Sequence, residues 1–85
     1  MKLLNDWKMS QWAYFECLNG NDIPEIRNLI KDDYYIFNCC LNVKDRKEMW
    51  YKITDSEWAY WYCKYIKDRK EVRKYCTKNW GIKGA

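Results

Sequence analysis

Five cysteines, three Asp-x-x-Glu pairs and a run of lysines and arginines are the residues of this chain whose types and spacing could do chemistry. The thiols come first. Structural zinc takes four ligands that converge in space, commonly starting from a Cys-x-x-Cys pair. The chain has no such pair and no histidine. Cys17, Cys40 and Cys63 instead stand at one fixed interval among apolar neighbours, where a thiol acts as a small buried hydrophobe. Cys39 and Cys40, adjacent on one helix, are expected on different faces. No metal and no cofactor is expected.

The carboxylate pairs Asp22/Glu25, Asp45/Glu48 and Asp68/Glu71 recur at the same interval as the thiols. An acid–base pair is needed once, in an asymmetric pocket that shifts its pKa values. Three copies fit a structural role better: an Asp at the start of a helix and a Glu three positions on form a capping box. The basic run holds Lys64, Lys67, Arg69, Lys70, Arg73 and Lys74. Lys64, Lys67, Lys70 and Lys74, near Trp61 and Tyr65, make a stripe that could hold phosphates and stack bases. Asp68 and Glu71 interrupt it, and the whole chain carries only +4.

The tryptophans divide into two groups. Trp12, Tyr35 and Trp58 keep the common step, and the two tryptophans are predicted to pack between units. Trp50 and Trp61 break it, standing where the other copies carry Arg27/Arg73 and Phe15/Asn38. A non-repeating aromatic on a repeating scaffold is a candidate contact residue. Trp50, Tyr51 and Trp61 are therefore the expected partner-binding residues, with Arg73 and Lys74 as their charged rim.

These residues must be positioned by the repeat itself, since a period of about 23 residues signals stacked supersecondary units. In the third unit, Asp55 or Ser56 can cap a helix whose Ala59, Cys63 and Ile66 share one face. Asp68 would cap a second helix burying Val72, Tyr75 and Cys76. In the second unit, Asp32 or Asp33 caps a helix with Ile36, Phe37, Cys40 and Val43 inward, and Asp45 one with Met49 and Ile53 inward. In the first, a helix from about Ser10 to Asn19 ends at Gly20, where a left-handed residue is wanted. Asp22 then caps a helix with Pro24 in its first turn and Ile26, Leu29 and Ile30 inward.

The fold class predicted is all-α: a single domain of stacked helix-turn-helix hairpins, a short α-solenoid-like array. Its units are residues 10–32, 33–55 and 56–79, with a half-unit cap at 1–9 that includes Leu3 and Trp7, and a tail at 80–85. No apolar run spans a membrane and no signal peptide is read at the start. An odd cysteine count at repeat positions suits reduced thiols in the cytoplasm. The abundant aromatic rings (6 Trp, 8 Tyr, 2 Phe) offset the small size of the core. Residues 1–43 carry net −2 and residues 44–85 net +6, a charge gradient along an array.

The segments Ser10-Gln-Trp-Ala-Tyr14 and Ser56-Glu-Trp-Ala-Tyr60, continuing to Arg69, resemble aromatic-rich helical repeats of uncharacterised bacteriophage and metagenomic proteins. The resemblance covers residues 10–78, with cysteines where those repeats favour alanine. It implies a helical repeat fold and a phage or mobile-element origin, and carries no catalytic residues with it. No enzyme activity is expected, because the chain lacks histidine, a Gly-rich phosphate loop and a nucleophile motif. The expected function is a protein-binding module that occupies a host or defence protein. Nucleic-acid binding through the lysine stripe is one alternative. End-to-end self-assembly into a homo-oligomer is the other.

Overall fold

Six helices account for the regular structure of the computed structural model, which describes residues 6–76. They are α1 (Asp6–Leu18), α2 (Pro24–Arg27), α3 (Asp33–Asn42), α4 (Lys47–Trp50), α5 (Ser56–Tyr65) and α6 (Lys70–Arg73). No strand occurs among the described residues. The bounds of α3 and α5, and of α2, α4 and α6, recur at the step seen in the sequence. α1 packs on α3 and α3 on α5, while each short helix folds back on the long helix before it. The molecule extends over 45 × 27 × 15 Å, a flattened body rather than a sphere.

Capping chemistry explains where α3 and α5 begin. Asp32 accepts a hydrogen bond from the Tyr34 N–H at 3.0 Å. Asp55 accepts from the N–H groups of Glu57 and Trp58 at 3.0 and 3.2 Å. Each satisfies helix donors that have no intrahelical acceptor. After α1, Gly20 takes a φ of 108°, the left-handed conformation that a residue without Cβ adopts at little cost.

The second leg of each unit is shorter than the hairpin reading required. One α-helical turn is followed by 3₁₀-type bonds, from Leu29 and Ile30 to Ile26 and Arg27, and from Lys52 and Ile53 to Met49 and Trp50. Tyr75 and Cys76 bond to Val72 and Arg73 in the same way. Nor are Asp22, Asp45 and Asp68 the caps. Ile23, Arg46 and Arg69 occupy the cap positions, none with a side-chain cap bond. The aspartates hold arginines instead, and a charged hydrogen bond is roughly twice as strong as a neutral one.

α1 also starts earlier than the expected boundary at Ser10. Trp7 and Lys8 are part of it, not a separate capping half-unit. Ser10 is wholly buried, and its hydroxyl oxygen accepts from the backbone N–H groups of Lys31 and Asp32 at 2.8 and 2.9 Å. It ties α1 to the residues that lead into α3. Leu3 and the rest of positions 1–5, the end of the third unit at 77–79 and the tail at 80–85 lie outside the described residues.

One core runs through the body. Ala13, Ile30, Ile36, Phe37, Met49, Ile53, Ala59 and Val72 are buried in it, as are Cys17, Cys39, Cys40 and Cys63. Ile26, Leu29, Val43, Ile66, Tyr75 and Cys76 pack half-buried at its edge. Cys39 and Cys40 are both enclosed, because α3 is covered by α1 and by α5.

Candidate interaction surfaces

Two polar junctions stitch the units together, and they determine which predicted contact residues reach the surface. At the first, both oxygens of Asp22 accept from Arg46, at 3.1 and 2.6 Å. Arg27 donates to the Asp22 backbone oxygen and carboxylate at 2.9 and 3.0 Å, and to Glu48 Oε1 through Nε and Nη2 at 3.2 and 3.0 Å. Arg27 is only 8% exposed. The Arg46 hydrogen bond, then that of Arg27, outweighs burial and holds the Asp22 carboxyl below its usual pKa. Lys52 Nζ closes the junction by donating to the Arg27 and Ile30 carbonyl oxygens at 3.1 and 2.9 Å.

At the second junction the Asp–Arg pair is kept and its surroundings change. Arg69 Nη2 donates to Asp45 at 3.0 Å, and the Tyr62 hydroxyl sits between them. That hydroxyl donates to Asp45 Oδ1 at 2.7 Å and accepts from Arg69 Nε at 2.6 Å. Trp50 fills the place of Arg27, its ring 4.8 Å from the Arg69 guanidinium. Such stacking adds a cation–π contribution to the packing. Trp50 is therefore buried, at 4% exposure, and does not present the outward ring expected of it.

The remaining predicted partner-binding residues lie on separate elements. Tyr51 follows α4 and is exposed, with Lys47 Nζ 5.1 Å from its ring. Trp61 is half-buried on α5 and stacks on Tyr65 at 5.5 Å. Arg73 pairs with Asp68 at 3.0 Å, and Lys74 lies exposed over Tyr75.

The lysine stripe has a more definite shape. Lys64, Lys67, Lys70 and Lys74 are all exposed. The Lys64 ammonium lies 5.4, 5.9 and 5.5 Å from the Tyr60, Trp61 and Tyr65 ring centres and donates to the Tyr60 hydroxyl at 3.1 Å. That hydrogen bond raises its pKa. The two arginines in the run, Arg69 and Arg73, face carboxylates of this chain.

A second exposed surface, this one apolar, lies on α1. Trp7, Trp12, Phe15 and Leu18 are exposed along one helix, α1, with Trp12 at 46% and Phe15 at 48%. Ile23, just past the end of that helix, is also exposed. Trp58 does pack between units, 5.5 Å from Phe37 and 5.8 Å from Tyr34. Trp12 does not, although it holds the same repeat position. The signal for this was in the spacing. A ring at that position packs on the unit before it, and no unit among the described residues lies before α1.

Four of the thiols are enclosed in the core. Burial raises the pKa of Cys17, Cys40 and Cys63, and lifts that of Cys39 to about 11. Thiolates are the nucleophiles and metal ligands, so these groups are held in their inert form. No cluster of three potential metal ligands occurs among the described residues, and none of their helices is long and apolar enough to cross a membrane. No family model matches this chain, and no curated protein or solved structure is similar to it.

Proposed function

We propose that the chain is a non-enzymatic protein-binding module: three stacked helical units that offer the outer face of α1 to a partner. The carrying observation is the exposure of Trp7, Trp12, Phe15 and Leu18 along that helix. Four large apolar side chains on one helix form a patch of the sort that marks interaction sites on soluble domains. Tryptophan and its aromatic relatives supply much of the binding energy at such sites. Stacking of the units is supported by the recurring element bounds and by the Asp22–Arg46 and Asp45–Arg69 pairs, which share one sequence separation. Tyr51, Trp61 and Lys74, on separate elements of the second half of the chain, are secondary contact candidates.

The test is affinity capture from a lysate of the cells that make the protein. Wild type should retain one stoichiometric protein, and Trp12→Glu or Phe15→Glu should lose it with an unchanged thermal transition. Capture that survives both substitutions, or no capture at micromolar concentration, overturns the reading.

The four exposed lysines favour nucleic acid as a second reading. It predicts binding that falls steeply with salt and weakens in the Lys67→Glu/Lys74→Glu double variant, because each phosphate contact releases counterions. Binding independent of salt removes it.

A further inference from the structure

The outer face of α1 repeats, position for position, an interface that this molecule fills twice. Tyr35 of α3 packs on Tyr14 of α1 with ring centres 5.7 Å apart and planes at 43°. Trp58 of α5 packs on Phe37 of α3 at 5.5 Å and 46°. Each ring rests on the equivalent position of the preceding unit. Beside each contact stands an ion pair, Arg46 with Asp22 and Arg69 with Asp45. One step back along the repeat, Tyr35 becomes Trp12, Asn38 becomes Phe15 and Arg46 becomes Ile23. Trp12, Phe15 and Ile23 are all exposed. The ring site is therefore present and open, while the cation of the ladder is replaced by an isoleucine.

That replacement specifies the occupant. In the filled interfaces, the covered unit presents an aromatic residue (Tyr14 or Phe37) from its long helix and an aspartate (Asp22 or Asp45) from the connection after that helix. A carboxylate set against Ile23 would lose water without gaining a cation, which is costly. We infer that the face takes a helix and the turn after it from a different protein, with an aromatic residue on the helix in the place of Tyr14 and an apolar residue in the turn, in the place of Asp22. A second copy of this chain fits poorly. Its last unit would bring Tyr60, which is already buried, and Asp68 against Ile23. The mismatch opposes the attraction between the less basic and the more basic ends. This inference rests on the protein-binding reading and adds the chemistry of the partner to it.

Peptides copying residues 33–48, stapled only within the helical part 33–42, serve as probes, one with Asp45 retained and one carrying Asp45→Leu. Each is titrated into the full chain by calorimetry. The leucine peptide should bind at least about tenfold more tightly, a difference of one unsatisfied charge. Trp12→Ala should weaken both, and Ile23→Arg should reverse their order. Both substituted residues are exposed, so the fold is retained. Equal, Trp12-dependent binding of the two peptides overturns the partner chemistry and leaves the binding face standing. No binding of either, or binding indifferent to Trp12, overturns both. Concentration-dependent self-association abolished by Trp12→Glu makes a second copy the occupant and overturns the inference.

Discussion

The two junctions between units occupy the same place in the repeat and are built from different chemistry. Both keep an aspartate facing an arginine of the next unit. Around the first pair stand three further charges, Arg27, Glu48 and Lys52; around the second stand two rings, Trp50 and Tyr62. A buried guanidinium must have its donors satisfied, so Arg27 requires Asp22, Glu48 and a backbone oxygen together. A tryptophan in its place needs no such partners and contributes apolar area instead. Equivalent backbone positions thus carry an ionic solution and an aromatic one, and the second should hold more of the stability.

Breaking the aromatic junction should have the largest effect. Trp50→Ala removes a buried ring and leaves a cavity beside Arg69, and should cost about 3–5 kcal/mol in chemical denaturation. Arg27→Ala at the equivalent position leaves Asp22 with Arg46 and returns Glu48, 42% exposed in its side chain, to water. Its cost should be smaller, about 1–3 kcal/mol, below that of a fully enclosed pair. Equal losses would dissolve the contrast between the junctions.

A finer probe is Tyr62→Phe, which deletes only the hydroxyl shared by Asp45 and Arg69. Their direct hydrogen bond survives, so the expected loss is about 1–2 kcal/mol by the same denaturation measurement. A neutral result would show that the hydroxyl merely fills space.

The smallest expected effects are in pH. Asp22 titrates below its ordinary range in the folded chain. Its contribution is complete above about pH 4, where the unfolded carboxyl is ionised, and fades as pH falls through the lower folded value. Asp22→Asn should flatten that acid limb of the thermal stability profile. At the alkaline end burial lifts Cys39 to about 11. An unfolded thiol ionises near about 8.5, so stability from this group is full below that value and is lost as pH climbs toward 11. Cys39→Ala should remove part of the alkaline fall, the other buried thiols and the buried Tyr62 hydroxyl contributing to the remainder.

Much of this architecture was legible in the sequence. The recurrence of Cys17, Cys40 and Cys63 announced the long helices and their inner faces, and Asp32 and Asp55 were readable as caps. The short second legs were not. Asp-x-x-Glu ahead of an apolar run reads as a capping box, and local spacing cannot show that an arginine of the next unit will take the carboxylate. Arg46 and Arg69, recurring beside the aspartates, were the overlooked signal. Trp50 was misplaced because a break in a repeat looks like a surface feature, whereas here it marks a change in how the interior is filled. Trp12 was misplaced for the opposite reason: it keeps the repeat, but no preceding unit among the described residues covers it as its counterparts are covered.

Trp12 and Trp58 are one repeat position in two states, the first open and the second covered, and the assignment of a binding face depends on that difference. Chemical denaturation of Trp12→Glu and Trp58→Glu compares them directly. The open site should lose no more than about 0.5 kcal/mol, as exposed substitutions do, and the covered one about 2 kcal/mol or more, because a carboxylate would be buried against Phe37 and Tyr34. Equal destabilisation at the two positions would mean that the face of α1 is already occupied, and would contradict its assignment as a binding surface.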